Sequence, residues 1–306
     1  MKSSAVGWTA SGMTDRLQRF LFEHADVRGE VVQLDDAFAE VVRRTDHEPA
    51  VQKILGEGLA AVALLAATLK TPSALTLQLQ SSGPLSLLLV QGGPQGGLRA
   101  MARTRGVVPD NADLNQQAGN GTLAITIEPD GGGERYQGVV DLSGGSLAAA
   151  LEHYFRESEQ LPTRVWLTAE SARAAGMLIQ RLPGDGHPVE SDQDAWERAG
   201  HLAATVTGAE LRELGPGEVI RRLFHEEDVR LFDPIPFRFR CRCSRDRVAA
   251  MLYSLGESEM RETLAEEGQV EVFCDFCNEP YRFDAVDIEA LFTDPASRPP
   301  DSQEQH

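Results

Sequence analysis

The sequence predicts an α+β protein in three parts: a sheet-rich amino-terminal domain at residues 13–183, a helical linker at 184–236, and a small cysteine-bearing carboxy-terminal domain at 237–292. Three observations predict this. Apolar residues alternate at period two in LTLQLQ and TLAITIE, with glycine-rich breaks between such runs. At PGDGHPVESDQD the texture changes to linker composition followed by short amphipathic segments. All four cysteines of the 306-residue chain fall after residue 240.

Residues 1–12 are small and polar, and 293–306 (TDPASRPPDSQEQH) are Pro-rich, acidic and aperiodic, so both ends are expected to be disordered tails. Leu75, Leu77 and Leu79 alternate with Thr76, Gln78 and Gln80, and Leu123, Ile125 and Ile127 with mostly polar partners, which marks half-buried strands. The breaks GGPQGG, PDGGGE and SGG supply turns. Residues 50–69 and 146–155 read as helices. Strands joined by short turns with helices at irregular intervals argue for antiparallel sheet. AGMLIQRL at 175–182 fits strand or helix on pattern alone.

The linker reads as short helices broken at Gly208 and at Gly215-Pro216-Gly217, with Thr207 and Glu210 forming a capping box. Trp196, Leu202, Val206, Leu211, Leu214, Ile220, Leu223 and Phe224 give it too much apolar surface for a free tether, so these helices require a surface to lie on. In the last domain Ser244 is an N-cap, Val248, Met251, Leu252 and Leu255 share one helix face, and Gly256 follows the helix end. QVEVF and YRF read as strands flanking the second cysteine pair. So small a core needs a staple.

The net charge of −18 disfavours nonspecific attraction to nucleic acid or anionic membrane. MKSSAVGWTASG lacks the apolar run of a secretory signal, and the apolar stretch 58–69 is shorter than the roughly 20 residues of a membrane span. Both point to the cytosol, where thiols stay reduced and clustered cysteines signify a metal site or a redox device. No HExxH, GxSxG or P-loop pattern occurs, which argues against a hydrolytic enzyme, and His225 reads as a surface or linker-packing histidine.

The cysteines form the pattern Cys241-x-Cys243, thirty intervening residues, then Cys274-x-x-Cys277. Four thiolates suit one Zn2+ per chain, in a tetrahedral shell with Zn–S bonds of about 2.3 Å. A thioredoxin-type CxxC would open a helix, whereas Cys277 is followed by NEPYRF, with Pro280 and the β-prone Tyr281 and Phe283. A permanent zinc staple is the simplest reading. The Cys-x-Cys half favours a second one, since so close a pair can close on itself as a disulfide. Structural zinc contributes roughly 10–16 kcal/mol of apparent folding energy, against about 1.5–2 kcal/mol for a disulfide closing three or four residues. Oxidation would therefore dismantle the small domain. Arg238, Arg240, Arg242, Arg245 and Arg247 are placed to offset the −2 charge of a zinc tetrathiolate. Residues 237–292 hold seven Arg, no Lys and twelve acids, a net of −5 that argues against a DNA-reading zinc ribbon. A thiol–disulfide oxidoreductase would instead need an exposed cysteine and no firmly held metal.

In CRC plus CDFC, in RLFHEEDVRLF leading to RFRCRCSRDRV, and in YFRESEQLPTRVWL, LQLQSSGPLSLLLV and GMLIQRLP, the chain resembles the redox-regulated 33 kDa heat-shock chaperones (33 kDa chaperonins) over nearly its whole length. The resemblance implies an ATP-independent, non-enzymatic holdase of the bacterial cytoplasm, with a helical linker folded over the sheet-rich domain and a carboxy-terminal zinc domain. It implies Cys241, Cys243, Cys274 and Cys277 as zinc ligands in the reduced state, and redox disulfides Cys241 with Cys243 and Cys274 with Cys277. Implied partners are unfolding clients, a second copy when oxidised, and thioredoxin- or glutaredoxin-type reductants, with neither nucleic acid nor membrane. The resemblance favours a strand for AGMLIQRL. One departure is LRAMA at 98–102, where Ala100 replaces a family glycine at what reads as a turn.

Overall fold

A computed structural model describes residues 14–69, 71–110, 112–142, 144–183 and 194–293. The chain forms two compact units, Met1–Arg240 and Cys241–His306. The first opens with β1 (Arg16–Phe22), β2 (Val27–Leu34), α1 (Asp36–Arg44) and α2 (Pro49–Thr68). A meander follows: β3 (Ser73–Ser81), β4 (Leu85–Gly92) and β5 (Gly97–Thr104). Then come α3 (Leu114–Ala118), β6 (Gly121–Pro129), β7 (Tyr136–Asp141), α4 (Leu147–Tyr154), β8 (Thr163–Glu170) and β9 (Arg173–Arg181). Helices α5 (Ala195–Ala203), α6 (Gly208–Glu213) and α7 (Pro216–Phe224) and the short strands β10 (Val229–Leu231), β11 (Ile235–Pro236) and β12 (Arg238–Phe239) complete the unit. This is the α+β, sheet-rich architecture expected from the sequence. The expected tails, 1–12 and all but Thr293 of 293–306, and the linker stretch 184–193 lie outside the described residues.

Two sheets carry the unit, in the orders β10-β1-β2-β9-β8, with β11 also on β1, and β12-β5-β4-β3-β6-β7. Helix α2 packs on both, and its buried side chains run round its whole circumference, as a helix enclosed by apolar neighbours requires. Gly56 and Gly58 permit this closeness: a Cβ at Gly56 would lie 2.5 Å from the Ala169 Cβ, and one at Gly58 2.8 Å from Val90 Cγ2. At 20 residues α2 is the one described helix long and apolar enough to cross a bilayer, yet 78% of its most apolar window is buried in the core. Ala100, read as part of a turn, lies mid-strand in β5 and is fully buried in the same core as α2. A small side chain suits a strand on which a helix lies so closely.

The outer face of the first sheet is covered by α5, α6 and α7. Phe20, Phe22, Val31, Met177 and Ile179 from the sheet meet Trp196, Leu211, Val219, Ile220, Leu223 and Phe224 from the helices. Residues 174–180 of β9 are consequently all buried, so AGMLIQRL is a strand whose alternation is erased because both faces are covered. The Thr207–Glu210 capping box forms as expected. Ion pairs fasten the helices: Arg198 to Glu227 at 2.5 Å, Arg164 to Glu197 at 3.2 Å, and Arg212 to Glu170. His225 is exposed, with Glu226 3.9 Å away.

Beneath this face Glu30 sits on β2, two residues before Val32 and on the same side. It is 2% exposed, and its Oε2 has no hydrogen-bond partner. Burial pushes its carboxyl up to about 7 against the pull of Arg28 and Arg19. The folded state therefore holds this proton more tightly than the unfolded chain, a contribution fully present below pH 4.5 and lost as pH rises through about 7. Glu30→Gln should raise the stability of this unit by roughly 1–3 kcal/mol near pH 8 and by much less near pH 5. Urea midpoints of both proteins at the two pH values check this; a gap that does not widen with pH contradicts it.

The second unit comprises α8 (Arg245–Leu255), α9 (Glu257–Glu267), the hairpin β13 (Val270–Phe273) and β14 (Pro280–Phe283), and α10 (Ala285–Thr293). Its core is six buried residues, Leu252, Met260, Val270, Phe283, Ile288 and Leu291. The face expected from Val248, Met251, Leu252 and Leu255 is used only in part. Leu252 is buried, whereas Met251 and Leu255 are 43% and 49% exposed. So thin a core accepts only a narrow stripe of α8.

Candidate metal centre

Cys241 and Cys243 lie on an irregular segment that ends at Ser244, whose hydroxyl accepts the Arg247 N–H and caps α8 as expected. Arg247 Nη1 donates to the Arg242 carbonyl at 2.5 Å, bracing the residue between the two cysteines. Cys274 follows β13 and Cys277 occupies the turn toward β14. The Asn278 N–H donates to the Cys274 carbonyl at 2.8 Å, and the Cys274 N–H to the Glu279 carbonyl at 3.0 Å. Asn278 adopts φ 55°, a left-handed conformation that asparagine tolerates and this tight turn needs.

These two segments bring the four Sγ atoms within 4.8 Å of one another. Cys241 and Cys274 are 3.6 Å apart and Cys243 and Cys277 3.4 Å. A tetrahedral shell with Zn–S bonds of about 2.3 Å requires sulfurs about 3.8 Å apart, so the cluster has the size of a zinc tetrathiolate. Cys277 is buried and the other three are half-buried.

The thiols differ electrostatically. Burial raises the Cys241 thiol, but hydrogen bonds from the Cys243 backbone and from the other three sulfurs outweigh it and bring the thiol to about 7. Burial pushes Cys274 and Cys277 up, and at Cys277 the neighbouring sulfurs add to the effect. Crowded thiols of this kind ionise together only when a cation shares their centre. The donor set thus fits a soft divalent ion.

Three of the five arginines also make specific contacts beyond the expected charge offset. Arg245 pairs with Asp287 at 2.8 Å, donates to the Arg282 carbonyl and lies 4.2 Å over the Phe283 ring. Arg240 belongs to the first unit and donates to Gln95. Arg245 and Arg247 fasten the backbone around the cysteines, a structural role that a charge count does not reveal. The short sulfur contacts run across the two cysteine pairs, whereas the resemblance implies disulfides within each pair. In a tetrahedral cluster every sulfur neighbours every other, so proximity alone does not select the pairing.

The family described as "Hsp33 protein" matches residues 15–284. The chain belongs to the Hsp33 family. A 33 kDa chaperonin of Methylobacillus flagellatus is 47% identical over 282 residues, covering 92% of this chain and 95% of that protein. One of Shewanella sediminis is 46% identical over 280 residues, covering 91% and 96%. The crystal structure of an Hsp33 homologue from Thermotoga maritima shares the fold, with a TM-score of 0.78 at 23% identity over 90% of this chain and 97% of that one. Membership in the Hsp33 family supports a chaperone role.

Proposed function

We propose that this chain is an oxidation-activated, ATP-independent holdase of the cytoplasm. The observation that carries this reading is the convergence of a Cys-x-Cys and a Cys-x-x-Cys segment, four sulfurs within 4.8 Å, in a unit whose described residues form an apolar core of six side chains. Cys241, Cys243, Cys274 and Cys277 would hold Zn2+ when reduced, and the bound ion would supply the cross-link that so thin a core lacks.

A thiolate attacks peroxide and becomes a sulfenic acid with loss of hydroxide; its neighbour's thiolate then displaces a second hydroxide to form the disulfide. One peroxide thus takes two electrons from each pair. We assign the pairs as Cys241 with Cys243 and Cys274 with Cys277. Once the ligand set is broken and the unit loosens, partners within a pair stay tethered, whereas the crossed partners are 33 and 34 residues apart. Unfolding of the unit frees the chain just beyond Arg240 and so loosens residues 229–239, which precede it. The helices α5–α7 then lift from the first sheet, and the apolar surface between them holds unfolding proteins, with a second copy of the oxidised chain. Thioredoxin- or glutaredoxin-type reductants reverse the switch.

The test compares reduced, zinc-loaded protein with peroxide-treated, warmed protein for suppression of a model client's thermal aggregation. Suppression by the oxidised form alone is expected. Equal activity of the two forms rejects the switch.

A further inference from the structure

Between α7 and Cys241 the chain forms a strap of three short strands on the rims of both sheets. β10 pairs antiparallel with Phe20–Phe22, β11 with Arg16 and Leu17, and β12 lies parallel to Gly97 and Leu98. Further backbone bonds follow the same path. The N–H groups of Phe232, Phe237, Arg238 and Arg240 donate to the carbonyls of Arg19, Asp15, Gly96 and Leu98 at 2.9–3.1 Å. Gly96, with φ +72°, allows the closest approach, since a Cβ there would stand 2.3 Å from the Pro236 carbonyl oxygen. Side chains alternate as in any strand: Ile235, Phe237 and Phe239 turn onto the main core, and Pro236 and Arg238 between them are exposed. Among the described residues no strand other than these pairs with the strap-side edges of β1 and β5.

We infer that the strap is an internal stand-in for the client. When it detaches, the bared edges of β1 and β5 take up extended segments of unfolding proteins by strand addition, with apolar residues at every second position over about five residues. This rests on the oxidation-released holdase reading and adds the two strand edges to the apolar face beneath α5–α7 as its recognition surface. The strap itself shows what fits. Main-chain donors and acceptors are the same for every sequence, so the edges accept many clients, and the sites vacated by Ile235, Phe237 and Phe239 supply the apolar selection. A folded protein offers no such free, extended backbone. While the strap remains anchored, its tether gives it an effective concentration in the millimolar range, which excludes clients. Only Arg240 separates β12 from Cys241, so unfolding of the four-cysteine unit frees the carboxy-terminal end of the strap to fray from β5.

The test uses full-length protein and a labelled peptide copying residues 228–240, together with the same peptide N-methylated at the residues matching Arg238 and Arg240. The parent peptide should bind oxidised, warmed protein at least about tenfold more tightly than reduced protein, and should lower client protection several-fold at saturation. N-methylation removes two donors while keeping every side chain, and should weaken competition about tenfold or more. Protection that survives saturating peptide, or equal competition by the N-methylated form, overturns edge pairing and leaves the redox switch standing. A client-free oxidised dimer that does not bind the parent peptide, while the oxidised monomer does, overturns it in favour of a second copy. Oxidised protein that protects no client overturns the switch and this inference together.

Discussion

Cys274→Ser is expected to abolish tight zinc binding and to unfold the four-cysteine unit without any oxidant. Serine keeps the shape of the side chain but removes one of the four sulfurs proposed to hold the metal. Metal binding in such units is folding free energy, on the order of 10 kcal/mol. The apolar cluster of six described core residues cannot replace that. Zinc stoichiometry on reduced protein and limited proteolysis of residues 241–293 check the result together. Undiminished metal affinity with a protease-resistant unit would remove Cys274 from the ligand set.

Phe224→Ala should weaken the hold of α5–α7 on the first sheet by about 3–5 kcal/mol, the usual cost of emptying a buried aromatic site. Phe224 is 2% exposed, and its ring centroid lies 5.4 Å from that of Phe20 and 5.3 Å from that of Phe22. The ion pairs at Arg198 and Arg164 each have a partly exposed arginine and cannot offset such a loss. Hydrogen exchange across residues 195–224 should rise sharply in the reduced variant while zinc content stays at the parent level. The same reduced variant should suppress client aggregation in part. Fast exchange with no gain in protection would separate helix release from client binding and contradict the proposed order of events.

What the sequence revealed followed how local each signal is. The convergence of the four cysteines was legible because metal-ligand spacing is written within two short segments. β3 and β6 were legible because half of each strand is less buried, which preserves the period of two. β9 was ambiguous because the core covers one face and α5–α7 the other. The strap leaves no local signal. In sequence, residues 229–239 read as the end of a helical linker and an arginine-rich flank, and their strand character comes only from pairing with β1 and β5, more than a hundred residues away in sequence. The role of Arg247 was hidden for a related reason: a guanidinium that braces the Arg242 carbonyl looks the same in sequence as one that screens sulfur.

The most direct measurement follows zinc release and backbone protection of residues 245–293 in one sample, by chelator colour and hydrogen exchange, before and after peroxide treatment with warming. The account expects the metal to be released as Cys241–Cys243 and Cys274–Cys277 disulfides form, with protection in α8, α9 and α10 lost at the same time. Residues 245–293 that stay as protected after both disulfides have formed and the metal has gone as they were before would contradict it.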